Sequence, residues 1–289
     1  MSRFACTASA AALSLTALLA ANGDATAQGA APEASQTAIP NFSFLNDGWI
    51  AINSDFVAVE GSPKPVTWDP KFPFYRNDER GPGVAPSYRV ADLNNPNLKP
   101  WAIEALKREN DKVHAGLVGQ TPRWSCLPGG VPGFSIFVVE PVYFIQAPDK
   151  IVMVYSGDHQ FRHVYLNVPH SRNPTPSWYG ESVGHYEGDT LVVDTIGVHP
   201  KAVIDNYHTP HTEKLHVVER YRVIDNGRRL EVNLLIEDPD TFNAPWRTKQ
   251  TYTKTANRPM LEQNCSENNG NILNDPGFEG PPTADKPDF

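Results

Sequence analysis

Residues 176–197, PSWYGESVGHYEGDTLVVDTIG, crowd a hydroxyl, an imidazole and several carboxylates into one stretch. Gly180-Glu181-Ser182-Val183-Gly184 fits the G-x-S-x-G pattern of serine hydrolases, where a strand runs into a sharp turn that presents the serine at a helix start. Ser182 lacks that context. NPTPSWY precedes it and HYEGDTLVVDT, a turn and strand, follows. A triad of Ser182, Asp194 or Asp205, and His208 is therefore the alternative reading. The simpler reading assigns both glycines to a strand that bends or approaches another backbone closely.

Acid/base chemistry is the second possibility. In TLVVDTIG, strand alternation puts Val192, Asp194 and Ile196 on one face and Leu191, Val193 and Thr195 on the other. LHVVERYRV puts Glu219 on a face with Leu215, Val217, Tyr221 and Val223, opposite His216, Val218, Arg220 and Arg222. FRHVYL puts Phe161, His163 and Tyr165 on one face and Arg162 on the other. A carboxylate on an apolar face is either ion-paired or tuned for proton transfer. If these strands enclose a lumen, His163, His185, Asp194 and Glu219 can converge in it. His163 or His185 would then move the proton, Asp194 or Glu219 would orient the imidazole, and Arg162 or Arg220 would stabilise developing negative charge.

HTPHTEKLH offers His208 and His211 as a zinc pair, completed by Glu213 or Asp205. Pro210 prevents helical spacing between these histidines, and a capped turn leading into a strand explains the same residues. The expectation is a site without a cofactor, with zinc as the exception. Trp178, Tyr186 and Tyr252 fall beside the polar clusters, as rings that bind aromatic or sugar-like ligands do.

The elements that must position these residues are mainly strands. Short apolar or alternating runs follow Phe134: FSIFVVE, VYFIQAP, KIVMVYSGD and FRHVYLN. Two hairpins come next, turned at Glu187–Asp189 and at Asp225-Asn226-Gly227, and RTKQTYTKT is a last strand. The expected fold is all-β: an antiparallel meander closing into a calycin-like β-barrel over 134–268. Residues 43–133 read as a proline-rich wrap pinned by Trp68, Phe72, Phe74 and Tyr75, plus one helix. That helix has Pro100 near its start, Gly116 past its end, and an apolar face of Trp101, Ile103 or Ala105, Leu106 and Val113. Residues 269–289 read as a tail.

Residues 1–27 read as a cleaved signal peptide, with Arg3, the apolar run 11–21 and an Ala-Thr-Ala cleavage site, and 28–42 as a disordered leader. The mature chain is then periplasmic or secreted, without a membrane anchor. Its two cysteines, Cys126 and Cys265, suit a disulfide in an oxidising compartment, contributing about 4–5 kcal/mol by loop closure. A net charge of −8 and the lack of any basic run argue against nucleic acid as a partner. No nucleotide-binding glycine pattern points to a dehydrogenase.

PSWYGESVGHYEGDTLVVDTIG, TPHTEKLHVVERYR, DPDTFNAPW and the LKPW of the helix resemble a widespread, mainly uncharacterised family of exported bacterial proteins with an EGDTLVVDT motif. The resemblance spans about residues 48 to 268. It implies export and a shared fold, and supplies no activity.

The expected function is a periplasmic enzyme acting on a small aromatic or sugar-derived molecule by cofactor-free acid/base chemistry, of lyase, hydratase, isomerase or hydrolase type. A non-catalytic small-ligand-binding barrel is the alternative, beside the Ser182 hydrolase and a purely structural envelope protein.

Overall fold

A computed structural model of the chain describes residues 39–43, 47–72, 89–115, 127–136, 141–157, 160–256 and 260. Residues 1–38, where the signal peptide and most of the leader are expected, together with Phe74, Tyr75, Cys126, Cys265 and the expected tail 269–289, lie outside the described residues.

The strands are β1 (Trp49–Ala51), β2 (Val57–Ala58), β3 (Val142–Gln146), β4 (Lys150–Tyr155), β5 (Phe161–Leu166), β6 (Glu181–Glu187), β7 (Thr190–Ile196), β8 (His216–Ile224), β9 (Arg229–Glu237) and β10 (Trp246–Lys254). From β3 to β10 they pair in chain order, and β1 bridges β3 and β10 to close a nine-stranded barrel. β2 adds to β10 further along the edge that β1 occupies. The barrel thus takes one strand from the N-terminal wrap, beyond the boundary expected at residue 134.

Turn chemistry sets the two long hairpins. Gly188 (φ 61°) turns β6 into β7, and Asp225, Asn226 and Gly227, all at positive φ, turn β8 into β9. The meander breaks once, because β5 and β6 are parallel. Residues 167–180 must carry the chain back to the end where β5 began, and their prolines suit a path outside the hydrogen-bonded ladder. Within the expected strand FSIFVVE, Phe134–Ile136 belong instead to a 3-10 turn, Gly133–Ile136, and residues 137–140 lie outside the described residues.

Leu191, Val193, Val217, Tyr221, Val232, Leu234, Ile236 and Trp246 fill the barrel. Glycine admits a close backbone approach at two points in the opening motif. A Cβ on Gly184 would lie 2.8 Å from the Val192 carbonyl oxygen. One on Gly180, where φ is +63°, would lie 2.5 Å from that of Ile196. The reading of both glycines as backbone devices holds.

The helix α1 (Pro100–His114) buries Ala102, Leu106 and Asn110, an i, i+4 stripe. Trp101 instead lies half-exposed, with its indole N–H donating to the Asp240 carbonyl. Asn110 ties the wrap to the helix through a reciprocal pair with Ala91, at 2.8 Å and 2.9 Å. Trp68 and Phe72 are half-exposed; Phe72 packs edge-on against His114 of the helix at 4.5 Å, and Trp68 bridges Ala91 through its backbone. Phe56, Val66, Val90 and Leu98 are the wrap's buried anchors.

Candidate functional site

The alternation expected for β5 is correct, but its facing is the reverse of the one catalysis in the lumen requires. Arg162 points inward, while Phe161, His163 and Tyr165 point outward. The reason is electrostatic. Glu219 projects into the lumen from β8 and gives the guanidinium a fully buried carboxylate partner. All five Arg162 N–H groups have acceptors. Nε donates to Ser182 Oγ (3.1 Å), Nη1 to Glu219 Oε1 (3.1 Å) and Met153 Sδ (4.0 Å), and Nη2 to Thr195 Oγ1 (2.8 Å) and Glu219 Oε2. Tyr221 donates a further bond to Glu219 at 2.7 Å, and the Phe134 ring lies 5.0 Å from the guanidinium carbon. Burial opposes the arginine charge, but Glu219 outweighs it and raises the pKa. With both side chains fully buried, the pair is a satisfied structural unit.

The remaining lumen candidates lie elsewhere. His185 and Arg220 are exposed and meet on Glu187, at 3.0 Å and 2.6 Å. Asp194 faces outward. Tyr252 is buried, with its hydroxyl on the Ser135 carbonyl at 2.8 Å, and Tyr186 accepts a bond from Gln146 at 3.0 Å. The lumen therefore gathers Arg162 and Glu219 but not His163, His185 or Asp194.

The hydrolase triad is not assembled. Ser182 Oγ is held by Arg162 and by Thr195 at 2.9 Å, whereas His208 is bonded to Glu109 (3.0 Å). Asp205 caps the backbone of Tyr207 and Thr209. Of the expected zinc pair, His208 Nδ1 faces Glu109 and His211 Nδ1 bonds the Thr212 carbonyl at 2.8 Å. Among the described residues, no three His, Cys, Asp or Glu side chains form a metal-holding group.

An open cleft of about 680 Å3 does exist, on the outer face of the barrel. One wall is the outward face of β5, Phe161, His163 and Tyr165; the other is formed by Ser171, Asn173, Thr175 and Ser177–Ser182. The parallel β5–β6 pair creates it, because the returning crossover lies beside the strand it left. Trp178, expected as a ligand residue, is in that wall and stacks on His199 (5.7 Å, 24°). Phe161 and Tyr165 are half-exposed, and His163 stacks on Tyr165 (6.3 Å, 17°). Gln160, Ser171, Asn173 and Thr175 add neutral hydrogen-bonding groups.

Glu181 is the cleft's carboxylate. Ser171 donates to it from its hydroxyl (2.7 Å) and its backbone N–H (2.7 Å), and His170 Nδ1 lies 3.0 Å away. The Ser171 hydroxyl bond, with those from the Ser171 backbone and His170, lowers its pKa against a partial burial cost. His170 Nε2 continues to Asp194 Oδ1 at 2.8 Å, and Asp194 to His216 Nε2 at 3.0 Å. His216 Nδ1 ends on Glu237 Oε2 at 2.8 Å. Burial tends to raise the Asp194 pKa, and the two imidazoles reverse this and lower it. The Asp194 bond is the main cause raising His216 to about 9. His170 and Glu237 were absent from the sequence-based set. His170 lies in a proline-rich loop, where no periodicity marks a functional face.

Comparison with protein-family models, curated proteins and solved structures returns no match.

Proposed function

We propose that this protein is exported and binds a small, ring-bearing organic molecule, an aromatic or sugar derivative, in the cleft between β5 and the 171–182 segment. The carrying observation is the cleft lining: Phe161, Tyr165 and Trp178 offer ring faces beside neutral hydrogen-bonding side chains and one carboxylate. Rings stack on such faces, and the polar groups select orientation. A volume of about 680 Å3 suits a ligand of this size. Binding is favoured over turnover because Glu181 is committed to Ser171 and His170, and Ser182 Oγ to Arg162 and Thr195.

A second reading, acid/base catalysis, rests on His163, the exposed imidazole on the cleft wall. It would exchange a proton with the bound molecule without a resident cofactor.

Native mass spectrometry of the exported chain from Gln28, followed by titration with phenyl β-glucoside and with phenolic acids, tests the proposal. A co-purifying organic adduct, or saturable binding of either probe that Tyr165→Ala weakens, supports it. A bare mass with no saturable binding overturns it. Conversion of a bound probe that is lost in His163→Ala would favour the catalytic reading.

A further inference from the structure

The two walls of the cleft differ in chemistry, and each is built on alternate residues. On β5, Phe161, His163 and Tyr165 share the outward face. The rings of His163 and Tyr165 lie nearly parallel, 6.3 Å apart and inclined by 17°. Across from them the crossover contributes Ser171, Asn173, Thr175 and Ser177 to the lining, but not Arg172, Pro174 or Pro176. The prolines explain this spacing. Each fixes its own φ at about −65° and holds the residue before it in an extended conformation, so Asn173-Pro174-Thr175-Pro176 cannot coil. A row of rings therefore faces a row of hydroxyl and amide groups.

Length and charge narrow what fits between the rows. From Phe161 to Tyr165 the strand advances about 13 Å, more than a single six-membered ring covers. Among the described residues, no lysine or arginine lines the cleft. Arg172 is exposed and stands outside the lining. Glu181, the lining carboxylate, already accepts two bonds from Ser171 and has His170 at 3.0 Å. An anionic ligand would meet that carboxylate and no fixed cation to offset it. The side chains of Asn173 and Thr175 are exposed and make no hydrogen bond to another described residue, so both are available to a ligand.

We propose that the cleft holds a linear, uncharged sugar chain of three or more rings, laid along β5 between the two rows. This rests on the cleft being the binding site, and it names the ligand class. A sugar ring has an apolar C–H face and a rim of hydroxyls. The C–H face stacks on an aromatic ring, whose π face is negative, while the rim reaches the opposite wall. A flat aromatic molecule would use the rings and leave Asn173 and Thr175 unmatched. Each further sugar ring adds one stacking contact and one set of hydroxyls, so affinity should rise with chain length until the row is covered. Both walls run along a straight strand, which suits straight β-1,4-linked chains.

Calorimetric titration of the chain from Gln28 tests this. The probes are phenyl β-glucoside, a phenolic acid, and β-1,4-linked chains of glucose, mannose or xylose with one to four rings. Cellotriose oxidised to its C6 carboxylates is the charged counterpart. At least one series should gain about tenfold or more in affinity from one ring to three, and the oxidised trisaccharide should bind about tenfold more weakly than cellotriose. Asn173→Ala combined with Thr175→Ala alters exposed side chains only and should remove most of the gain with length. Binding of phenyl β-glucoside or the phenolic acid with no gain along any series would overturn the sugar-chain inference and leave the single-ring reading of the cleft standing. So would an oxidised trisaccharide that binds as tightly as the uncharged one. No binding of any probe would overturn both.

Discussion

Arg162 on β5 and Glu219 on β8 form a doubly bonded ion pair across the barrel lumen, with neither side chain exposed to solvent. Two of the most reactive-looking groups in the chain are thus spent on each other. Four further partners, Ser182, Thr195, Tyr221 and Met153, complete the unit.

Breaking that pair should be costly. Glu219→Gln leaves a buried guanidinium without its countercharge and is expected to destabilise the fold by about 3–5 kcal/mol in guanidinium denaturation. Replacing both residues by apolar ones of similar size, Arg162→Met with Glu219→Leu, should recover most of the loss. A double variant as unstable as the single one would mean that the charges position something beyond each other.

Ser182 should behave as a structural hydroxyl. A fluorophosphonate probe is expected to leave it unlabelled, since its oxygen is buried between Arg162 and Thr195. Ser182→Ala should cost about 1–3 kcal/mol, the penalty for a buried donor left without its acceptor. Mass spectrometric detection of a phosphonylated Ser182 peptide would reinstate the hydrolase reading.

Gly180→Ala is expected to strain the entry to β6. At φ +63° an added Cβ meets the Ile196 carbonyl oxygen at 2.5 Å, so the backbone must shift. A loss of about 1–3 kcal/mol in stability should follow, with weaker probe binding because Glu181 is the next residue. An unchanged melting temperature would show that the β6–β7 contact relaxes freely.

Alkaline pH should weaken the fold through His216. The difference in melting temperature between wild type and His216→Gln should be full below about pH 6.5 and should vanish as pH passes about 9. A constant difference across this window would show that His216 packs without its charge mattering.

Much of the barrel is legible in sequence because strand alternation and turn residues are local signals. Gly188 and the Asp225–Gly227 turn mark the hairpins, and Glu219 falls on the apolar face of β8, as alternation requires. Alternation also separates Arg162 from His163, but it cannot say which face turns inward. That depends on Glu219 waiting across the lumen, a contact 57 residues away. The parallel β5–β6 pair is likewise invisible locally, and without it there is no cleft. His170 gains its meaning from Glu181 and Asp194, which only that crossover brings to it. Trp178, a ring beside polar residues in the sequence, lies in the cleft wall, and that juxtaposition is a local feature.

The most direct test of the β5 cleft is a titration of the chain from Gln28 with phenyl β-glucoside and phenolic acids, followed by the indole N–H resonance of Trp178, assigned by Trp178→Phe. Binding in the cleft predicts a saturable shift of that resonance that is weakened about tenfold or more in Phe161→Ala and Tyr165→Ala, each of which removes a stacking face. Saturable binding that leaves Trp178 unshifted, or that survives both substitutions unchanged, would place the ligand elsewhere and contradict the cleft assignment.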